Sequence, residues 1–171
     1  IYQQALVVGS GPAGLECSLQ LARRGYQVTL AESKSQLGGR VLFESGLKGL
    51  AAWRRVVDNR VHEILQKNNI EIYKESKLTS AHINELEIKN IFIATGSKWR
   101  KDGVGRSRRS PIKGIESVAV FTPEEIIQEE QNIKDPVIIY DDEQGYLAGV
   151  LADHLSSKGI DVTFVTPASV V

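Results

Sequence analysis

Cysteine is almost absent: Cys17 is the only one in 171 residues. That excludes an internal disulfide, a CxxC redox pair, and an iron–sulfur cluster held by several cysteines of this chain. An excess of one charge is missing too, since 21 Lys and Arg balance 21 Asp and Glu. No global field therefore recruits nucleic acid or an anionic membrane. No apolar run approaches the roughly 18–20 residues of a membrane span, and no signal-peptide pattern opens the chain. His62, His82 and His154 lack HxH or HExxH spacing, which argues against a metal site. There is no GxSxG and no convincing Ser/His/Asp set.

The remaining composition, 42% hydrophobic and 25% charged, is that of a soluble globular protein long enough to bury a real core. Scarce cysteine favours a reducing cytoplasm as the location. Cys17 lies just past the opening turn of the first helix and is expected to be an inert core thiol. The chain starts at Ile1 without methionine and stops at Val171, soon after an apparent strand. The expectation is a piece excised from a longer protein.

Ala5 to Val8 reads as a strand, Pro12 to Arg24 as a helix stopped by Gly25, and Val28 to Ala31 as a second strand. Such a βαβ unit with tight connections predicts a parallel sheet. Residues 49–67 carry a helical stripe of Leu50, Trp53, Val57, Val61, Ile64 and Leu65. Strands are expected at Ile70–Tyr73, Ile91–Ala94 and Val118–Val120, and a short helix at Ser80–Leu86. Thr122, Pro123 and Glu125 spell a capping box with proline at the first helical position. A second βαβ follows: strand Val137–Tyr140, a helix to about Ser157, Gly159, and strand Val162–Val165. The fold class is α/β: a Rossmann-like parallel-sheet domain over residues 1–133, then the start of a second Rossmann-like unit over residues 134–171.

Gly9-Ser10-Gly11-Pro12-Ala13-Gly14 fits GxGxxG. Gly9 allows the tight turn, Gly11 lets backbone approach a pyrophosphate, and Gly14 lets helix pack close on strand. The helix N-terminus adds N–H donors and a positive dipole end. Alone the motif is weak. Here it follows a strand, opens a helix, and precedes Glu32, with Ser33 beside it, at the end of the next strand. At that place a carboxylate accepts hydrogen bonds from ribose hydroxyls. Gly38-Gly39-Arg40 then permits close backbone passage and a cation for a phosphate. These residues point to ADP, or to the ADP half of FAD.

Together GSGPAGLE, Glu32, Gln36-Leu37-Gly38-Gly39-Arg40 and Ala94-Thr95-Gly96 resemble two-dinucleotide-domain flavoproteins. ATGSKW with Asp102-Gly103, and Tyr140-Asp141-Asp142, are similar to the C-terminal half of the trimethylamine, dimethylamine and histamine dehydrogenase group, to which dienoyl-CoA reductases are related. The resemblance implies a flavin-dependent oxidoreductase whose missing N-terminal (β/α)8 barrel carries FMN and a 4Fe–4S cluster. It implies ADP in the first domain for the amine dehydrogenases, and FAD there, with NAD(P)H in the second, for the reductases. Cofactor-binding positions matching the group are Gly9, Gly11, Gly14, Glu32, Gly39, Arg40 and Ala94-Thr95-Gly96. A homodimeric parent is the expected assembly. A non-catalytic nucleotide module is the reading from another class.

Superposing the repeats on Gly25 and Gly159 sets Glu143, Gly145, Ala148 and Thr166 opposite Gly9, Gly11, Gly14 and Glu32. Two motif glycines and the ribose acid are gone, and Asp141-Asp142-Glu143 brings like charge to the pyrophosphate position. No working NAD site is expected there. Lys98, Arg100, Lys101, Arg106, Arg108, Arg109 and Lys113 make a basic stretch. A solvated loop, or a contact to the missing barrel, is the plainest reading, and nucleic acid finds little support.

Overall fold

The computed structural model describes residues 3–128 and 133–169; the chain ends at Ile1 and Val171 lie outside them. Two compact units emerge, one of residues 1–45 and 50–97, the other of 46–49 and 98–171. The division falls after Ser97, ahead of the transition read from the sequence near Lys134-Asp135-Pro136. A side chain of the second βαβ explains it, since the segment after Ser97 is tied to that unit where the Ser107 N–H donates to the Asp142 carboxylate.

The first unit holds a parallel sheet ordered β3-β2-β1-β4, with β1 Gln4–Val8, β2 Gln27–Ala31, β3 Ile70–Tyr73 and β4 Asn90–Ile93. Period-two alternation splits β1 between two faces. Ala5 and Val7 pack with Leu15 and Leu19 of α1 (Pro12–Arg23) and with Val57 and Ile64 of α3 (Arg54–Leu65). Leu6 and Val8 face the other way, against Leu78, Ile83 and Ile88. Residues of this core such as Leu6, Leu15 and Leu30 are fully buried, each stabilising the fold by about 1.5–3 kcal/mol. The ladder continues past β4, where Ala94 N–H donates to the Val8 carbonyl at 2.8 Å.

Pro12 occupies the first position of α1 and Gly25, at φ +88°, ends the chain's helical run. Arg60 of α3 reaches Glu16 of α1, and Arg23 of α1 pairs with Glu63 of α3. The helical stripe of 49–67 is realised as a 3-10 turn, Ala51–Trp53, running into α3. One extra turn, α2 (Val41–Glu44), was not legible. Helix α4, Ser80–Glu85, carries a capping box in which Thr79 receives the His82 N–H and His82 Nδ1 accepts the Thr79 N–H.

The second unit pairs β5 (Val137–Tyr140) with β6 (Val162–Val165) in parallel around α6 (Tyr146–Ser157), whose Leu147, Leu151 and Leu155 are buried. Thr122 and Glu125 form the expected capping box of α5, Pro123–Ile127. Val118–Val120 is not a strand. Those residues follow a 3-10 turn, Ile115–Ser117, and no ladder partner reaches them among the described residues, which leaves Val118 exposed.

Candidate functional site

Three loops meet the C-terminal ends of β1, β2 and β4, where ligands of open α/β sheets bind. The chain turns from β1 into α1 in three residues. Gly9 takes φ +99°, and its N–H donates to the Ala31 carbonyl at 2.8 Å. A Cβ on Gly9 would stand 2.4 Å from the Ala94 carbonyl oxygen. A Cβ on Gly14 would stand 1.9 Å from the Gly9 carbonyl oxygen. Both glycines therefore serve packing: one of the turn on β4's exit, the other of α1 on the turn. Gly11 differs. Nothing lies within 4 Å of a Cβ built there, and it is the N-cap of α1 with no side-chain cap. Open space faces a helix N-terminus, with Pro12 and the exposed Ala13 on its first turn.

The second loop brings Gly39 to Gly11. Gly39 has φ +60°, and its Cβ would lie 3.0 Å from the Gly11 Cα. The Gly38 N–H donates to the Ser10 carbonyl at 2.9 Å, which fixes this loop against the turn. Arg40 leads away from it. Its guanidinium donates to the Ser97 carbonyl at 2.9 Å, and its Nε stands 3.8 Å from Glu44. Arg40 thus straps the Gly38–Gly39 loop to the Ala94-Thr95-Gly96 exit, of which Thr95 and Gly96 are exposed.

Glu32 sits at the centre and is only 8% exposed. Its Oε2 accepts the Ser10 N–H at 2.9 Å and the Ser10 hydroxyl at 2.5 Å. Oε1 accepts the Lys34 N–H at 2.9 Å and the Ser33 hydroxyl at 3.1 Å. Burial pushes the carboxyl pKa up, but the Ser10 hydroxyl, the Lys34 and Ser10 N–H groups and the Ser33 hydroxyl outweigh it, and the net shift is downward. The carboxylate is held ionised and oriented.

The residues read as candidate nucleotide contacts lie in these three loops and the first turn of α1. Sequence reasoning gave no role to the Ser10 hydroxyl, the Lys34 N–H or the Ser97 carbonyl. A serine between the two turn glycines was the one visible signal; the other two are backbone groups and leave none. Cys17 packs half-buried against the core, and burial raises its thiol pKa. No group of His, Cys, Asp and Glu suited to a metal occurs among the described residues.

The counterpart turn in the second unit is built differently. The Asp141 N–H donates to the Val165 carbonyl at 2.8 Å, as Gly9 does to Ala31. Asp141 therefore occupies the position of Gly9. Helix α6 starts at Tyr146 after N-cap Gly145, so the turn covers residues 141–145 where the first covers 9–11. Registering the repeats on their helix-ending glycines holds for the helices; from the strands, the extra turn residues shift the match from Glu143 to Asp141. Asp141 is buried and accepts the Gln144 N–H at 2.9 Å and the Thr166 hydroxyl at 3.3 Å. Of the basic stretch, Arg100 pairs with Asp102, whose pKa falls to about 2 chiefly through that hydrogen bond, and Lys101 pairs with Glu125.

The sequence model of the pyridine nucleotide-disulphide oxidoreductase family matches residues 3–166. Dimethylamine dehydrogenase from Hyphomicrobium sp. (strain x) is 33% identical over 168 residues, 94% of this chain and 23% of that protein. The structure of 6-hydroxypseudooxynicotine amine oxidase from Pseudomonas geniculata N1 superposes with TM-score 0.92 at 43% identity, covering 98% of this chain and 25% of its own. Histamine dehydrogenase from Rhizobium sp. 4-9 does so with TM-score 0.92 at 41% identity, covering 99% and 26%. The chain spans about a quarter of the length of these relatives.

Proposed function

The chain belongs to the pyridine nucleotide-disulphide oxidoreductase family, and from that premise we propose that its first βαβ unit binds ADP, free or as the ADP half of FAD. The observation that carries the reading is the open space at Gly11, bounded by the N-terminus of α1 and by Gly39, with the ionised Glu32 on the same sheet end. In it the pyrophosphate lies along Gly9–Gly14, the ribose diol meets Glu32 with Ser33 beside it, and Arg40 and Ala94-Thr95-Gly96 close the site. The four donors on Glu32 include two hydroxyls that can rotate away, which leaves acceptor sites for the ribose.

The whole protein is, in this proposal, an amine dehydrogenase or demethylase, since the relatives above carry amine oxidation in their names. An FMN-bearing barrel with a 4Fe–4S cluster supplies its redox chemistry, and the assembly is a homodimer. This chain binds and structures; the second unit takes no NAD(P)H, because a buried aspartate replaces its first glycine. A cytoplasmic location accords with this reading; no helix among the described residues is long and apolar enough to cross a membrane.

Calorimetric titration tests the nucleotide assignment. Gly11→Val should leave the fold intact, as a Cβ built there has nothing within 4 Å, and should weaken ADP on the order of tenfold or more by filling the phosphate path. ADP should also bind better than its 2′-phosphorylated form, because Glu32 repels the added charge. Unchanged affinity in the variant refutes the pyrophosphate placement; equal affinities for the two ligands refute the ribose placement.

A further inference from the structure

Residues 102–112 of the second unit form a loop closed on itself. The Ile112 N–H donates to the Asp102 carbonyl at 3.0 Å, and the Gly105 N–H to the Arg108 carbonyl at 2.9 Å. The Arg108 guanidinium binds the Ser110 and Pro111 carbonyls, and Asp102 accepts the Val104 N–H. So many internal bonds make it a compact unit of its own rather than a solvated tether. One group docks it. The Ser107 N–H lies 3.0 Å from both carboxylate oxygens of Asp142, which also accepts the Tyr140 hydroxyl at 3.2 Å. A Cβ on Gly105 would stand 2.2 Å from Asp142 Oδ2, so any side chain there would push this carboxylate aside.

Asp142 lies in the turn after β5, at the carboxyl end of the strand. That is where a doubly wound unit takes its dinucleotide. In the first unit the turn is open at Gly11, and backbone N–H groups await an anion. Polarity is reversed in the second unit: the turn supplies the anion, and the loop supplies the N–H groups. We infer that residues 102–112 are a built-in plug, latched by Asp142 over the crevice where the second unit would otherwise admit a dinucleotide. The inference rests on the reading that this unit takes no NAD(P)H, and it names what occupies the place instead. Burial would raise the Asp142 pKa, yet the Ser107 and Arg106 N–H groups hold it below the ordinary range, as a latch requires.

The test uses amide hydrogen exchange and trypsin cleavage on the full chain in three forms: unmodified, Asp142→Asn and Gly105→Ala. The first variant removes the anion; the second drives the carboxylate off Ser107 from the loop side. Each should speed exchange at Arg106 and Ser107 on the order of tenfold. Cleavage after Arg106, Arg108 and Arg109 should quicken as well, with exchange at Leu151 and Leu155 unchanged. Unaltered exchange and cleavage in both variants would overturn the plug. NADH is titrated into the unmodified chain as a separate arm. No binding is expected. Binding that releases the loop would refute the reading of the second unit as non-binding and keep the plug. Binding with the loop still protected would overturn the plug itself.

Discussion

The two βαβ units share a strand–helix–strand frame and the same first hydrogen bond, from the residue after the first strand to the end of the second. They differ in where the carboxylate stands. In the first, the residue after the second strand is Glu32 and the turn donates to it through Ser10. In the second, the turn carries Asp141 and the residue after the second strand, Thr166, donates to it. Exchanging acceptor and donor across the same gap changes what the unit can hold. The first arrangement leaves the turn free of negative charge and sets the acid at the end of the second strand, where the proposed site would receive a ribose diol. The second puts the acid at the turn itself, where a pyrophosphate would meet it with like charge in a partly desolvated place.

The comparison breaks first at the glycines. Gly14→Ala forces a Cβ onto the Gly9 carbonyl and should cost about 3 kcal/mol, the scale of an overpacked core. Ala148, its counterpart on α6, shows that the same place tolerates a methyl when the turn is longer. Ala148→Gly should cost about 1 kcal/mol, a helix-propensity effect. Urea unfolding, followed unit by unit through exchange at Leu30 and Leu151, measures both. Equal costs would mean that the turns do not differ as described.

A smaller effect attends the acids. Glu32→Gln should destabilise the first unit by about 2 kcal/mol, because a buried charged acceptor of four hydrogen bonds is replaced by an amide. The pH dependence has a fixed sign. Since the folded pKa of Glu32 is lowered, its contribution is complete above the unfolded value, about 4.3, and is lost as pH falls through the folded value. The variant should lack that acid-side loss. Asp141→Asn, with two donors rather than four, should cost about 1 kcal/mol. A variant pair in which Asp141 mattered more than Glu32 would invert the comparison.

Local patterns that carry their own physics were legible in the sequence. The six paired strands, α1 and α6 follow from apolar runs bounded by glycine and proline, and the Thr122–Glu125 capping box from four residues. The residues proposed to meet a nucleotide stand out in sequence because turn geometry, charge or close approach restricts each type. Val118–Val120 misled, because an apolar run makes a strand only when an edge receives it. Nor could the sequence reveal that Arg40 meets the Ser97 carbonyl, or that Asp142 meets the Ser107 N–H. Those partners are 57 and 35 residues apart, and both acceptor and donor include backbone, which no side-chain pattern marks. The longer second turn was hidden for the same reason: helix-ending glycines register helices, whereas only the ladder registers strands.

Amide exchange with and without saturating ADP reads both turns in one sample. Binding at the first unit predicts new protection across Ser10–Gly14 and Ser33–Arg40, and none across Asp141–Leu147. Protection gained at Asp141–Leu147, with Ser10–Gly14 unchanged, would contradict it.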